Sequence, residues 1–482
     1  MTIPQIPSIK NMYIGKVRIQ VACHLSFALF AFYILLKNNF AWKWVEGLSL
    51  FIPDVDFFHK FLPMPGGLLA YTGCYLTQFL YYPIIGCTIF IGLLYIVQLL
   101  TTKIFRFPSF LYPLSFLPSL MLLTAVLNVG YTWVTLKSPG HFFVPALGCL
   151  FFLSCLMGYK RIQFFPLRVL TAFLIAATYP FFGFYALFAV GLCLLYEWRI
   201  KQSELKYLAI FIIGLASIIL IPKLYYFTIN STEQEISRLY VAGLPTFFIR
   251  RAELMLWMPF LLLLGYYLLF TLFPLTERTK HLSKWLVISI SVYAMTMAFT
   301  AQQMYRNENL EASVRASLAM EDGNWSKVLE AVNQVEGSPT RDVAIEKRIA
   351  LMQMNMPQPS EELPPLLAVY KDSRPGIFTF MQLCGLPMHY YMGQINLCYR
   401  WGMELSVEYG WRVSSLKYMI KSALLQREFS LAQKYNDVLK KTAFHKDWAE
   451  KYQRYIDNPK LMKSDKEFIK ISNITISDTF VE

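Results

Sequence analysis

Residues 81–100 read YYPIIGCTIFIGLLYIVQLL, a run without a single charged side chain. A membrane-spanning helix needs roughly 20 mostly apolar residues, so this run predicts one span. The longer apolar run 169–197 predicts two short spans, because Pro180 and Gly183 near its middle interrupt a helix. Further near-chargeless runs lie at 19–36, 110–128, 142–158, 207–222, 254–273 and 285–300. We therefore expect about nine spans within residues 1–300.

The overall composition excludes several classes of protein. The 482 residues are 56% hydrophobic and only 16% charged, with a mean hydropathy of +0.40. Soluble proteins carry about 25% charged residues, so a wholly soluble enzyme is excluded. The net charge is +13 in residues 1–300 and +1 in residues 301–482. Because the basic excess flanks apolar runs, it predicts a lipid bilayer partner and no nucleic-acid partner.

The basic residues of the short loops predict the orientation. With the N-terminus in the cytoplasm, the inner segments hold 14 Lys and Arg. The outer loops then hold 8, and they comprise residues 37–67, 129–141, about 180–183 and 222–253. Basic residues are enriched on the cytoplasmic side of membrane proteins. An odd number of spans then places residues 301–482 outside the cytoplasm.

Residues 301–482 change from apolar runs to helical periodicity. Helix pairs are predicted at 311–320 with 326–335, at 343–354 with 361–370, and at 416–425 with 431–439. Small residues at the helix contacts and short polar turns resemble tetratricopeptide (TPR) hairpins. The predicted fold is therefore all-α, with a polytopic membrane helix bundle followed by an exported TPR-like repeat domain.

Two features of this exported part leave alternatives open. The aromatic stretch 388–411 could form a domain core, dock onto the membrane half or bind a ligand. Cys384 and Cys398 could form a disulfide outside the cytoplasm or remain two free thiols.

A short apolar segment follows Gly66 and Gly67 in the first outer loop. At 1.5 Å per residue, a helix over residues 68–80 is roughly 20 Å long, which is too short to cross a bilayer. Four of its residues share one helix face: Tyr71, Cys74, Tyr75 and Gln78. This face either packs against the bundle or lines a substrate site.

Several motifs carry a resemblance to a known family. They are Pro65-Gly66-Gly67, residues 76–83 (LTQFLYYP), residues 402–411 (GMELSVEYGW), residues 431–435 (LAQKY) and residues 444–452 (FHKDWAEKY). The chain resembles the uncharacterised multi-pass membrane proteins of Bacteroides and relatives that are defined by a domain of unknown function. The resemblance implies a location in the bacterial inner (plasma) membrane. It implies no established activity and no catalytic residues.

In layout alone, the chain also resembles GT-C glycosyltransferases, which use sugars linked to a lipid phosphate. That resemblance implies that Asp54 or Asp56, in the first outer loop, acts as a catalytic base or holds a cation. It also implies substrate contacts from Tyr71, Tyr75 and Gln78, and phosphate contacts from Arg238, Arg250 and Arg251. Asp54 lies further from the first span than the family's acidic pair, so a solvated turn is the alternative. The sequence supplies no metal site, because no close spacing links its histidines.

These observations favour one function and one alternative. The leading hypothesis is a scaffold or accessory factor in cell-envelope assembly that binds an envelope protein through its exported repeats. The alternative is a GT-C-like glycosyltransferase acting on a lipid-linked glycan. A secondary transporter is disfavoured, because no Asp, Glu, Lys or Arg lies deep within a predicted span. The sequence by itself assigns neither an enzymatic activity nor a cofactor.

Overall fold

A computed structural model describes residues 9–200, 205–229, 239–245, 254–273, 275, 282–364 and 376–474. Within these ranges the protein forms α-helices and short 3-10 helices, and no β-strand. The prediction of an all-α fold is confirmed for this part of the chain.

The first part of the chain contains helices α1 to α13. They are α1 (Ile9–Lys37), α2 (Asn39–Gly47), α3 (Val55–His59), α4 (Gly67–Thr77), α5 (Pro83–Phe105), α6 (Leu117–Leu127), α7 (Val144–Tyr159), α8 (Phe165–Ala177), α9 (Tyr179–Phe182), α10 (Phe184–Ile200), α11 (Leu205–Ile229), α12 (Leu254–Leu272) and α13 (Leu282–Gln303). The 3-10 helices lie at Gln78–Tyr81, Ser109–Phe116 and Gly130–Thr135.

Six of these helical segments are long and apolar enough to cross a membrane. They are Val17–Lys37, Pro83–Phe105, Ser109–Leu127, Leu208–Thr228, Met255–Leu272 and Ser283–Gln303. The other three predicted spans correspond to shorter helices: α7 has 16 residues, α8 has 13 and α10 has 17. The structure therefore supports a membrane protein, while the count of nine spans stays a prediction.

The predicted break in the run 169–197 is present between α8 and α10. Pro180 lies at the first turn of α9, and Gly183 ends that turn with a φ of 55°. A Cβ at Gly183 would lie 2.3 Å from the carbonyl oxygen of Ala242. Glycine is required here for two reasons. Its φ is positive, which disfavours residues with a Cβ, and a Cβ would clash with the carbonyl oxygen of Ala242.

Contacts between loops divide the helix ends of the bundle into two groups. We call residues 37–82, 128–143, 178–183 and 239–245 the outer end, a name that follows the predicted orientation. There the Gly66 amide donates to Pro180 O (2.9 Å), and the Phe184 amide donates to Ala242 O (2.8 Å). We call residues 103–108, 159–164, 199–200 and 270–275 the inner end. There Lys160 Nζ donates to Ile104 O (3.2 Å), which joins the ends of α7 and α5.

The remaining described helices form the helical domain. They are α14 (Glu308–Glu321), α15 (Trp325–Asn333), α16 (Arg341–Gln353), α17 (Gly376–Tyr391), α18 (Ile395–Tyr409), α19 (Val413–Leu425), α20 (Phe429–Lys440), α21 (Lys446–Asp457) and α22 (Lys466–Ile474). The first and last predicted helix pairs correspond to α14 with α15 and to α19 with α20. The predicted 343–354 helix corresponds to α16. Of its predicted partner, residues 361–364 are not helical and 365–370 lie outside the described residues.

One turn geometry recurs in the helical domain. Besides Gly410, residues with positive φ follow helices at positions 323, 355, 393 and 427, which lie 32, 38 and 34 residues apart. After each, the next amide donates to the carbonyl five residues earlier: Asn324 to Ala319, Met356 to Leu351, Gln394 to His389 and Glu428 to Ala423. These bonds are typical of Schellman C-caps, and the spacing is near the TPR period of about 34 residues. The assignment as TPR-like stays a prediction.

The aromatic stretch 388–411 contributes to both the core and the docking face. Tyr390 and Tyr391 are fully buried, and the Tyr391 ring meets Trp325 edge-on with centroids 5.0 Å apart. Tyr409 lies at the boundary with the outer end, where the Lys137 ammonium is 5.8 Å from its ring centroid. Cys384 and Cys398 are buried free thiols, which agrees with the second of the two alternatives.

The helical domain packs directly onto the outer end. The Val413 amide donates to Ser49 O at 3.2 Å, and Leu50 and Ile52 share an apolar cluster with Val413. His445 Nε2 lies 2.9 Å from Glu46 Oε1, and both side chains are buried. Apolar, polar and charged contacts therefore connect the two parts of the protein. The predicted domain boundary at residue 300 stays a prediction.

Candidate functional site: a cavity between the outer end and the helical domain

A cavity of about 420 Å³ lies where the helical domain meets the outer end. Its first wall is residues 45–64, and its second wall is residues 133–142 with Cys74 and Thr77 of α4. Its third wall comes from the helical domain, residues 409–412 and 434–438. We call this space the outer cavity. Docking of the helical domain creates it, because neither part encloses it alone.

Close backbone approach shapes the second wall. Gly140 has a φ of 66°, and a Cβ at this position would lie 2.4 Å from the Cys74 amide nitrogen. A Cβ at Gly73 would lie 2.7 Å from Gly140 O and from Val144 Cγ2. Glycine at both positions therefore lets α4 lie against the segment before α7.

Arg412 is the most unusual side chain in the outer cavity. It occupies an extended residue between α18 and α19 and is only 3% exposed. One guanidinium nitrogen donates to Val134 O at 2.9 Å, and the guanidinium carbon lies 4.7 Å from the Tyr409 ring centroid. Nε of Arg412 has no hydrogen-bond partner among the described residues. Burial lowers the pKa of the Arg412 guanidinium to about 10, so it remains charged at neutral pH.

The rest of the lining combines apolar walls with further positive charge. Trp133, Trp411 and Tyr435 supply aromatic surface, and Lys60 and Lys434 are exposed cations at the wall. No Asp or Glu belongs to the described lining. The outer cavity is therefore suited to an anionic group attached to an apolar or aromatic body.

The family DUF6057, described as a family of unknown function, matches residues 15–481. The chain belongs to DUF6057. No curated protein and no solved structure matches it. The resemblance to an uncharacterised family is confirmed, and the DUF6057 match covers all three walls of the outer cavity.

The acidic pair of this DUF6057 protein does not line the outer cavity. Asp54 is the N-cap of α3 and accepts a hydrogen bond from the Asp56 amide at 3.2 Å. Asp54 also pairs with Lys441 of the helical domain at 2.7 Å. The hydrogen bond from Lys441 is the main cause that lowers the pKa of Asp54. These contacts link the outer end to the helical domain, and the catalytic role of either aspartate stays a prediction.

The predicted face of α4 packs against aromatic residues between positions 51 and 58, in the loop that is predicted to lie outside. Tyr71 contacts Phe51 and Phe58, with ring centroids 5.2 and 5.0 Å apart. Tyr75 meets Phe51 edge-on at 5.2 Å. Neither tyrosine lines the outer cavity, and nor does Gln78. Cys74 of the same face does line the cavity, so both alternatives for this face stay predictions.

The sequence also predicts phosphate contacts from three arginines. Arg238, Arg250 and Arg251 lie outside the described residues. Among the described residues, no group of three or more His, Cys, Asp or Glu is arranged to hold a metal ion.

Arg412 was not singled out from the sequence. It follows Tyr409, Gly410 and Trp411 at the end of the aromatic stretch, and these neighbours are its only local signal. Its burial depends on Val134, which is distant in the sequence, so only the folded chain reveals it.

Proposed function

We propose that this DUF6057 protein is an accessory factor of the bacterial cell envelope that binds an amphipathic anion in its outer cavity. A lipid-linked glycan, whose lipid phosphate carries the negative charge, fits this description. The single observation that carries the proposal is the buried Arg412 guanidinium, which has no carboxylate partner among the described residues.

The charge of Arg412 gives the physical reason for an anion. Removing an ion from water costs several kcal/mol, even after the protein relaxes. A backbone carbonyl and a tyrosine ring offset only part of that cost, and one donor of the guanidinium remains unbonded. A phosphate or carboxylate could accept two parallel hydrogen bonds from a guanidinium. An anionic ligand would therefore stabilise the site.

The shape and lining of the outer cavity indicate the rest of the ligand. Its volume lies within the range of about 300–1,000 Å³ that is typical of small-molecule sites. Apolar and aromatic side chains form most of the wall, so the ligand needs an apolar portion as well as its anionic group. The GT-C alternative receives no comparable support, because the described contacts of Asp54 are a helix cap and an ion pair.

The proposal includes a location in the inner membrane, with a cytoplasmic N-terminus and a periplasmic TPR-like domain. It rests on the excess of basic residues in the predicted inner segments. Reporter fusions can test it: a reporter active only outside the cytoplasm should be active after Gln302 and silent after Lys280. The reverse activities would place the outer cavity in the cytoplasm.

Binding to the outer cavity can be measured with a polyprenyl pyrophosphate as the probe. The full-length protein in neutral detergent should bind the probe, and Arg412→Met should weaken binding on the order of 100-fold. Methionine keeps an unbranched side chain and removes the charge. The matched control is Arg400→Met, because Arg400 is exposed and paired with Glu404 on α18.

Two outcomes would reject this function. One is equal binding by wild type and Arg412→Met, and the other is equal weakening by Arg400→Met. A protein that captures an envelope partner but binds no probe would instead favour the scaffold hypothesis.

A further inference from the structure

A second pocket lies at the inner end of the bundle, opposite the helical domain. It has a volume of about 570 Å³ and lies between the ends of α5, α7, α10 and α12. Five basic side chains line it: Lys103, Arg106, Lys160, Arg161 and Arg199. We call this space the inner pocket. Ligand binding in the outer cavity does not account for this pocket.

The five cations of the inner pocket have no acidic partners among the described residues. No Asp or Glu belongs to the described lining, and none of the five forms an ion pair with a described carboxylate. Arg168, which does not line the pocket, pairs with the buried Glu197 at 2.7 Å. Among the described residues, the carboxylate of Glu197 therefore pairs with Arg168 and not with any of the five cations that line the inner pocket.

Carbonyl oxygens and aromatic rings position two of these cations, Lys160 and Arg199. Lys160 Nζ donates to Ile104 O at 3.2 Å and lies 4.9 Å from the Phe105 ring centroid and 5.0 Å from that of Tyr196. Arg199 donates to Thr271 O at 2.8 Å, and its guanidinium carbon is 5.2 Å from the Tyr196 ring centroid. Burial, followed by repulsion from Arg199 and Arg106, lowers the pKa of Lys160 to about 8. Carbonyls and aromatic rings thus hold both side chains in place.

Arg106 stands where the backbone favours glycine. It is the C-cap of α5, with a φ of 50° and an amide that donates to Thr102 O at 2.9 Å. Glycine is the usual residue at a left-handed helix end, because it has no Cβ. Arg106 therefore has a strained backbone conformation, and its side chain adds a charge to the inner pocket. Strained backbone of this kind is common at functional sites.

We propose that the inner pocket binds a phosphate-bearing anion, either the headgroup of an anionic phospholipid or a free phosphate compound. Clustered Lys and Arg side chains recognise phosphate oxygens through charge-assisted hydrogen bonds. Basic pockets between membrane helices are typical sites for anionic headgroups. Apolar Phe270 and Leu275 also line the pocket, which suits a ligand with acyl chains beside its phosphate.

The test uses full-length protein in two kinds of lipid nanodisc and measures the thermal unfolding midpoint. One arm compares phosphatidylcholine with a phosphatidylcholine–phosphatidylglycerol mixture. The other arm adds inorganic pyrophosphate to phosphatidylcholine nanodiscs. A ligand that binds only the folded state raises the midpoint. A rise in the first arm alone identifies a lipid headgroup, and a rise in the second alone identifies a free phosphate compound.

Two variants connect that response to the inner pocket. Lys160→Gln combined with Arg199→Gln should weaken the response at least tenfold in ligand concentration. Arg106→Gly should also weaken it, and its glycine relieves the backbone, so failure to fold is not expected. The control is Arg18→Gln, because Arg18 is exposed on α1 and does not line the pocket. Arg412→Met should leave the response intact, which separates this site from the outer cavity.

The proposal is overturned if neither arm raises the midpoint of the wild-type protein. It is equally overturned if Arg106→Gly and the double variant respond as the wild type does.

Discussion

The two ends of the molecule hold positive charge in opposite ways. The outer cavity has a single buried guanidinium, Arg412, between apolar walls. The inner pocket has five clustered cations, of which Lys103, Arg106 and Arg161 are exposed to solvent. The outer cavity exists because two parts of the chain dock, whereas helix ends of the bundle alone form the inner pocket.

This difference separates two kinds of recognition. A buried charge keeps little hydration, so it depends strongly on a partner in one defined position. Exposed cations remain hydrated, act over about 10 Å at 0.1 M salt, and are screened as salt increases. We therefore expect the outer cavity to select one ligand geometry and the inner pocket to accept several polyanions.

The largest expected effect comes from disrupting the second wall of the outer cavity, where Gly140 packs against α4. Gly140→Ala places a Cβ 2.4 Å from the Cys74 amide nitrogen at a left-handed residue, so it should lower the free energy of unfolding by roughly 2–4 kcal/mol. Outer probe binding should fall as well. The matched control is Gly92→Ala in α5, where a Cβ meets nothing within 4 Å. Equal thermal stability of the two variants would contradict the packing described for this wall.

The stability of Arg412→Met tests whether the buried charge of the outer cavity serves a ligand. Replacing a buried ion by an apolar side chain of similar length should leave the free energy of unfolding unchanged or raise it by about 1–3 kcal/mol in ligand-free protein. Binding of the polyprenyl probe should weaken on the order of 100-fold in the same variant. Thermal unfolding with and without the probe measures both. A large loss of stability without ligand would mean that Arg412 mainly connects the helical domain to Val134.

Salt should distinguish the two sites by a smaller effect. Raising NaCl from about 50 to 300 mM should weaken binding at the inner pocket roughly tenfold, because its cations are exposed and screened. Binding at the outer cavity should change less than about threefold, since Arg412 is buried. Titrations of the two probes at both salt concentrations provide the measurement. Equal salt dependence would remove the distinction between the sites.

The smallest expected effect concerns Asp54. Asp54→Asn removes the exposed ion pair with Lys441, while the amide oxygen can still cap α3. Exposed pairs contribute little, so probe binding should stay within about twofold of wild type. The variant should also restore the phenotype of a deletion strain. A loss of function on the order of 100-fold would support the glycosyltransferase alternative instead.

Apolar composition made much of the bundle predictable from the sequence. α5 contains all but the first two residues of the run 81–100, and Pro180 with Gly183 marks the observed break between α8 and α10. Span counting is harder, because α8 is mostly apolar but, at 13 residues, is shorter than a bilayer-crossing helix. Hydropathy locates such segments, while their depth depends on the helices that pack around them.

The site was less predictable, because it depends on contacts between distant parts of the chain. The sequence places Asp54 in a loop and leaves a catalytic role or a solvated turn open, but it does not reveal the ion pair with Lys441, which follows α20. Arg412 becomes notable only when Val134 and Tyr409 bury it. The hydrophobic pattern of a short segment predicts a helix from its periodicity. It does not predict which helix face another domain will cover.

The most direct test is an experimental structure of the full-length protein purified with its native lipids. We predict density for a non-protein molecule in the outer cavity, with an acidic group about 2.7–3.2 Å from the Arg412 guanidinium. An empty outer cavity, or a protein carboxylate paired with Arg412, would contradict the central claim that this cavity binds an amphipathic anion.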